Sequence, residues 1–253
     1  MYKAVFIDID DTLLDYIPCC REAFDAAMNS LSGVAGLSAE RSVSGPRLGL
    51  SVEDGLFQTF FEISGRLFSE AKHGLHTIAE VMELYPHEFV ERLSETYPQY
   101  LPAGKGIDEM TETFKHAFRA AWGQTHYLVP GAKETLDYLH GKGYRLFAAS
   151  NSFGHLQRNR LKQAGILPYF EDTYISMDIG YDKPDIRFYQ EALRRCGLQP
   201  HEVLMIGDSM TTDILGAQKA GLDVIFFNRR NEPLDPSLHI PTVSSLSEIQ
   251  QFV

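Results

Sequence analysis

Three carboxylates fall within four positions at Asp8, Asp10 and Asp11, directly after the apolar run Ala4-Val5-Phe6-Ile7. Like charges ~4 Å apart repel by roughly 4 kcal/mol at an effective dielectric of 20. Such a cluster persists where a cation sits in it or where its proton chemistry is used. The alternative is an acidic turn with idle carboxylates, and Asp11 in particular is expected to face solvent. Asp8 and Asp10 are two apart, so in extended chain they leave on one face, ~6.6 Å apart. One can attack a phosphorus atom while the other gives or takes a proton. A hard, oxygen-seeking cation is needed to hold these acids together, and Mg2+ fits because it keeps waters and phosphate oxygens among its ligands.

Further polar groups stand later in the chain. Ser150 and Asn151 close one apolar run, Gly207-Asp208-Ser209 close another, and Lys183 follows Asp182 and precedes Pro184. Asp208 is the natural third metal ligand, and Lys183 supplies an ammonium for the nucleophile and the phosphoryl oxygens. Ser150 offers a hydroxyl and Asn151 an amide to phosphate oxygens. Each has a bland reading: Ser150-Asn151 as a turn, Lys183 as a surface loop, Asp208 or Ser209 as a helix cap, Asp213 as a helix-dipole partner. Four coincidences at the strand ends of one sheet favour the functional reading.

The elements that must position these groups fall into two textures. From Cys20 to Leu31, apolar residues recur at three- and four-residue steps, the pattern of one helix face. A Gly- and Ser-rich link through Gly33, Gly36, Ser42 and Gly45-Pro46 follows. Further helices are expected over Val52–Arg66, Ile78–Leu84, Phe89–Tyr97 (after Pro86) and Thr111–Trp122. From Pro130 onward, continuous apolar strands at Leu146–Ala149, Tyr174-Ile175, Val203–Ile206 and Val224–Phe227 alternate with helices. That alternation describes an α/β fold with a doubly wound, Rossmann-like parallel sheet. Ligands of such sheets bind beyond the carboxyl ends of the strands, where the polar groups fall.

DIDDT at Asp8 to Thr12, Ser150, Lys183 and GDSMTTD at Gly207 to Asp213 resemble the four ordered motifs of the haloacid dehalogenase-like (HAD) hydrolase superfamily. The stretches Ser150 to Ile166 and Met205 to Leu222 are similar to its pyrimidine 5'-nucleotidase branch. The resemblance implies a core from residues 1–14 and 131–253 and an inserted all-α cap domain over 15–130. It implies Asp8 as the nucleophile that becomes an aspartyl phosphate, and Asp10 as general acid, then base. Asp8, the Asp10 carbonyl and Asp208 would bind Mg2+. Ser150 and Lys183 would hold the phosphoryl group, Thr12 would brace the loop, and Asp213 would support Lys183 and the metal. Members that displace halide from carbon lack an acid at the Asp10 position, so phosphate-ester cleavage is favoured over 2-haloacid dehalogenation. The cap would close over the site and set specificity.

The expected activity is Mg2+-dependent hydrolysis of a small phosphomonoester, with a nucleoside 5'-monophosphate as one candidate. A phosphosugar mutase and a non-enzymatic phospho-acceptor module are the alternatives. In the cap, Phe57, Phe60, Phe61 and Phe68 read first as core and second as a stacking surface for a base. Arg47, Lys72 and His73 are charged candidates for substrate contact. A net charge of -11 over 253 residues argues against nucleic acid or anionic membrane as partner. The partner is expected to be a small phosphorylated metabolite, the assembly a monomer or homodimer, and the compartment the cytoplasm. The three cysteines, Cys19, Cys20 and Cys196, have no zinc or disulfide spacing.

Overall fold

The computed structural model describes residues 2–32, 52–98 and 101–253, so Arg47 and the Gly/Ser link lie outside the described residues. The chain forms two compact units, one of Met1–Tyr16 with His126–Val253, the other of Ile17–Thr125.

The first unit is built on six parallel strands, β1 (Ala4–Ile7), β2 (Arg145–Ser150), β3 (Asp172–Ile175), β4 (Val203–Gly207), β5 (Asp223–Phe227) and β6 (Thr242–Val243). Their spatial order is β3-β2-β1-β4-β5-β6, a doubly wound sheet of the expected kind. Alternate residues of each buried strand serve opposite faces. Val5, Ile7, Leu146, Ala148, Leu204 and Ile206 share one core with Leu136, Leu139 and Leu161. Those last three come from α5 (Ala132–Gly141) and α6 (Gly154–Gln163). Ala4, Phe6, Phe147, Tyr174 and Met205 share the other core with Phe188, Tyr189 and Ala192 of α8 (Ile186–Cys196). A one-turn helix, α7 (Ser176–Ile179), precedes α8. Phe6 meets Phe147 and Tyr174 edge-on at 5.6 and 5.4 Å. Such aromatic pairs add about 0.5–1.5 kcal/mol each beyond their area burial.

The register places the chemistry. Ile7 pairs with Ala148 on one side and Ile206 on the other, so β1, β2 and β4 run out at one edge. Asp8 continues the ladder by one bond, its N–H donating to the Ile206 carbonyl at 2.9 Å. Beyond β4 the chain forms a π-helical turn, Met210–Leu215, continuing as α9 (Gly216–Lys219). The wider turn is anchored by Tyr189, whose hydroxyl donates to the Thr212 carbonyl. The exit and return of the chain are stitched together within this unit. The Asp15 N–H donates to the Tyr127 carbonyl at 2.8 Å and the Val129 N–H to the Leu13 carbonyl at 2.9 Å. Leu14 and Leu128 form the antiparallel bridge between them.

The second unit is helical: α1 (Tyr16–Ser32), α2 (Val52–Lys72), α3 (Ile78–Thr96) and α4 (Ile107–Trp122). Its core is aromatic. Phe60 is buried with ring centroids of Phe24, Tyr85, Phe89, Phe114 and Phe118 within 5.1–5.6 Å. Phe57 is half-buried on Phe24 and Phe61 beneath the Arg21 guanidinium, and Phe68 packs near Tyr85. The core reading therefore accounts for Phe60 and for most contacts of the other three. Lys72 and His73 are exposed at the end of α2, and His73 Nδ1 lies 2.8 Å from the Ser69 carbonyl of its own helix.

One expectation is corrected here. The break placed at Pro86 does not occur, because α3 runs through it. An interior proline leaves the carbonyl four residues earlier without its helical donor. That carbonyl, Met82 O, accepts instead from Arg119 Nη2 of α4 at 2.9 Å, and Pro86 is buried. No helix among the described residues is long and apolar enough to cross a membrane.

Candidate active site

Lys183 lies in the loop between α7 and α8, buried at the carboxyl edge of the sheet. Its Nζ donates to Asp8 Oδ1 at 2.7 Å, to Asp213 Oδ1 at 2.6 Å and to the Ala149 carbonyl at 2.8 Å. All three N–H donors of the ammonium are thus used, which fixes its position. Burial works against its charge, but the Asp213 and Asp8 carboxylates outweigh burial and hold it protonated well above the usual lysine range. Burial pushes the Asp8 carboxyl up, to about 8, against the pull of Lys183, with Asp213 and Asp10 adding to the rise.

Carboxylate oxygens of Asp8, Asp208 and Asp213 all lie within 4.8 Å of one another. The Lys183 ammonium pairs with two of the three, Asp8 and Asp213. Hard oxygen donors at this spacing suit a divalent cation such as Mg2+ or Ca2+. Asp213 is aimed by its surroundings: the Ser209 N–H donates to its Oδ2 at 3.0 Å, and a Cβ on Gly207 would stand 2.5 Å from its Cβ and Cγ. A glycine at the end of β4 is therefore what lets Asp213 lean over the strand. Thr12 is buried, with Oγ1 3.5 Å from Asp208 Oδ1.

Asp10 faces α6. Arg160 Nη1 donates to its Oδ1 and Gln157 Nε2 to its Oδ2, both at 2.6 Å. Gln157 Nε2 also donates to Ser150 Oγ at 2.9 Å, so Asp10 and the buried Ser150 are linked through one amide. Gln157 and Arg160 were not among the residues read from the sequence. The available signal was their spacing: i and i+3 on α6 put two polar side chains where an apolar stripe should face the sheet.

Two sequence-read residues have protein partners of their own. Asn151 Nδ2 donates to the Lys183 carbonyl at 2.7 Å, and its Oδ1 accepts from the Lys183 N–H at 2.8 Å. Its amide locks the Lys183 loop onto β2. Asp11 does not face solvent, which corrects that expectation. It adopts a left-handed backbone (φ 62°), a conformation Asp tolerates better than most residues. Its Oδ1 accepts from the Tyr16 N–H and its Oδ2 from Arg230 at 2.6 Å. Burial pushes its carboxyl up even against that arginine. Its partner lies over two hundred residues away, beyond the reach of local pattern.

A carboxylate cluster and a buried lysine at the carboxyl edge of a doubly wound sheet define an α/β protein equipped for aspartate and metal chemistry. Residues 2–221 match the family model described as a haloacid dehalogenase-like hydrolase, and the chain belongs to that family. It is 30% identical over 233 residues to the pyrimidine 5'-nucleotidase PynA of Streptococcus pneumoniae, covering 90% of this chain and 84% of that one. It is 28% identical to the glyceraldehyde 3-phosphate phosphatase of Methanothermobacter thermautotrophicus over the full length of both. Among solved structures, the HAD-hydrolase YfnB of Bacillus subtilis aligns with a TM-score of 0.78 at 22% identity, covering 99% of this chain and 98% of that one. Hydrolases of this family generally work with a divalent metal, and the acid cluster offers a place for one.

Proposed function

We propose that the chain is a Mg2+-dependent phosphatase that hydrolyses a small phosphomonoester through a phosphorylated Asp8. The observation that carries this reading is the Lys183 ammonium bound to both Asp8 and Asp213 beside Asp208. Asp8, Asp208 and the Asp10 carbonyl would hold the cation, with Asp213 beside them. When bound, the cation neutralises charge on Asp8 and on the phosphoryl oxygens. Asp8 attacks phosphorus as the ester P–O bond breaks, and Asp10 protonates the departing alkoxide. Asp10 then takes a proton from water as it attacks the aspartyl phosphate, releasing Asp8 and inorganic phosphate. Ser150 holds a phosphoryl oxygen, the Lys183 ammonium beside Asp8 offsets the charge of the transferring group, and Thr12 braces the loop at Asp208. Phosphoryl transfer asks chiefly for positioning and charge neutralisation, which this set supplies.

The two relatives named above act, by name, on a pyrimidine nucleotide and on a triose phosphate, and a phosphomonoester is what these share. Nucleoside 5'-monophosphates are the first candidates. The helical unit, read as the cap over 15–130, is assigned the choice among such substrates. The test is a panel of phosphorylated metabolites assayed for phosphate release with magnesium and with EDTA, on wild type and Asp8→Asn. Release that needs magnesium and disappears in Asp8→Asn supports the reading. A wild type inert to the whole panel, or an Asp8→Asn that still turns over, overturns it.

A further inference from the structure

We propose that Gln157 and Arg160, a buried pair on α6, are positioning residues that aim the Ser150 hydroxyl at the phosphoryl group and hold Asp10 in line with it. The proposal rests on the phosphatase reading for the identity of the reaction, and on hydrogen-bond geometry for everything else.

Both side chains are fully buried, and they sit one turn apart on the same helix face. Arg160 Nη1 donates to Gln157 Oε1 at 2.8 Å and to Asp10 Oδ1 at 2.6 Å. A guanidinium only donates, so the amide oxygen of Gln157 must face Arg160 and its NH2 must face the other way. That NH2 has two hydrogens and two acceptors, Asp10 Oδ2 at 2.6 Å and Ser150 Oγ at 2.9 Å. With the amide reversed, Oε1 would face the Asp10 carboxylate, acceptor against acceptor, inside the protein. Arg160 therefore sets the sense of the amide, and the amide sets the hydroxyl. Because Ser150 Oγ accepts from Gln157, its own hydrogen is directed elsewhere, ready for a phosphoryl oxygen. With Oε1 in that place the hydroxyl would donate to Gln157 instead. The same closed ring of bonds from one arginine and one glutamine leaves the Asp10 carboxyl little freedom to rotate.

The experiment is a double-mutant cycle between Gln157→Leu and Ser150→Ala, read in two ways. One reading is kcat and KM on a phosphomonoester that the wild type hydrolyses. The other is calorimetric binding of orthovanadate with magnesium, which needs no turnover. Gln157→Leu is expected to lower kcat about 10- to 100-fold with KM within about 3-fold, the size of losing an aligned donor in a buried site. In the Ser150→Ala background its effect on vanadate affinity is expected to shrink at least about 5-fold. Gln157→Glu, which keeps the size and the Arg160 pair but replaces the amide donor with an acid, runs the same cycle if the leucine variant does not fold. Effects that multiply within about 2-fold in the vanadate cycle overturn the proposal, since a hydroxyl aimed by the amide must couple to it. A wild type that turns over no phosphomonoester while its vanadate cycle shows coupling refutes the phosphatase reading and leaves the positioning role standing. A wild type that binds no vanadate overturns both.

Discussion

Replacing Lys183 by methionine should expose how much of the first unit's stability is tied to its acid cluster. The methionine fills a similar volume, but it leaves Asp8 and Asp213 buried without the ammonium that now sits 2.7 and 2.6 Å from them. Breaking a buried ion pair by removing one partner costs about 3–5 kcal/mol. The cost depends on pH. In the metal-free chain the folded Asp8 carboxyl is pushed up to about 8, so between about pH 4 and 8 the folded state holds a proton that the unfolded chain has lost. Stability therefore falls as pH rises through that window, by at most about 1.4 kcal/mol per pH unit. Without Lys183 the carboxyl rises further and the fall continues through pH 8, where that of the wild type levels off, so the mutational loss is larger at pH 8 than at pH 5. The only tryptophan, Trp122, belongs to the helical unit, so its fluorescence follows the wrong half of the molecule. The assay is amide hydrogen exchange of β1 and β4 by mass spectrometry, with EDTA, at both pH values. A loss under about 1 kcal/mol at pH 8, or one equal at the two pH values, refutes the electrostatic account.

Gly207→Ala should displace Asp213, because the new methyl would stand 2.5 Å from Asp213 Cβ and Cγ. The expected cost is about 1–3 kcal/mol of stability together with at least about 100-fold in phosphate release; a crystal structure with Asp213 unmoved refutes it. Magnesium affinity should rise as pH is raised toward about 8, with proton uptake by the buffer, since Asp8 must lose its proton to serve the cation; calorimetry showing a flat affinity from pH 6 to 8 counts against this. Asp10→Asn should lower kcat by about 10²–10⁴-fold, and steady-state kinetics showing less than 10-fold loss removes Asp10 from proton transfer. Phe60→Ala should destabilise the helical unit by about 3–5 kcal/mol, read by Trp122 fluorescence in urea; an unchanged midpoint refutes the aromatic-core account.

The parts of the molecule that follow from local pattern were legible in the sequence. Buried parallel strands must be apolar on both faces, so Val203–Ile206 announces itself, and the polar groups that close such strands stand out against it. What escaped was set by distant partners. Pro86 reads as a break because the donor that replaces its lost bond comes from Arg119 on another helix. Asp11 reads as idle because Arg230 reaches it only after the sheet is assembled. Gln157 and Arg160 take their roles from Asp10 and Ser150, which reach them only in the assembled fold. Asn151 also pins the Lys183 backbone, a pairing that only the assembled fold brings about.

The stitched exit and return at Asp15 and Tyr127 have a consequence for engineering. To the sheet-bearing unit, everything from Ile17 to Thr125 is the loop of a hairpin whose stem is Leu13–Asp15 against Tyr127–Val129. Antiparallel stems close with as few as two residues. The helical unit is thus a cassette: it can be excised for a tight turn, or exchanged for another insert, with the β1 ladder and the Asp8–Lys183 contact left in the retained chain. Domain replacement at this stem leaves the whole acid cluster in the retained chain.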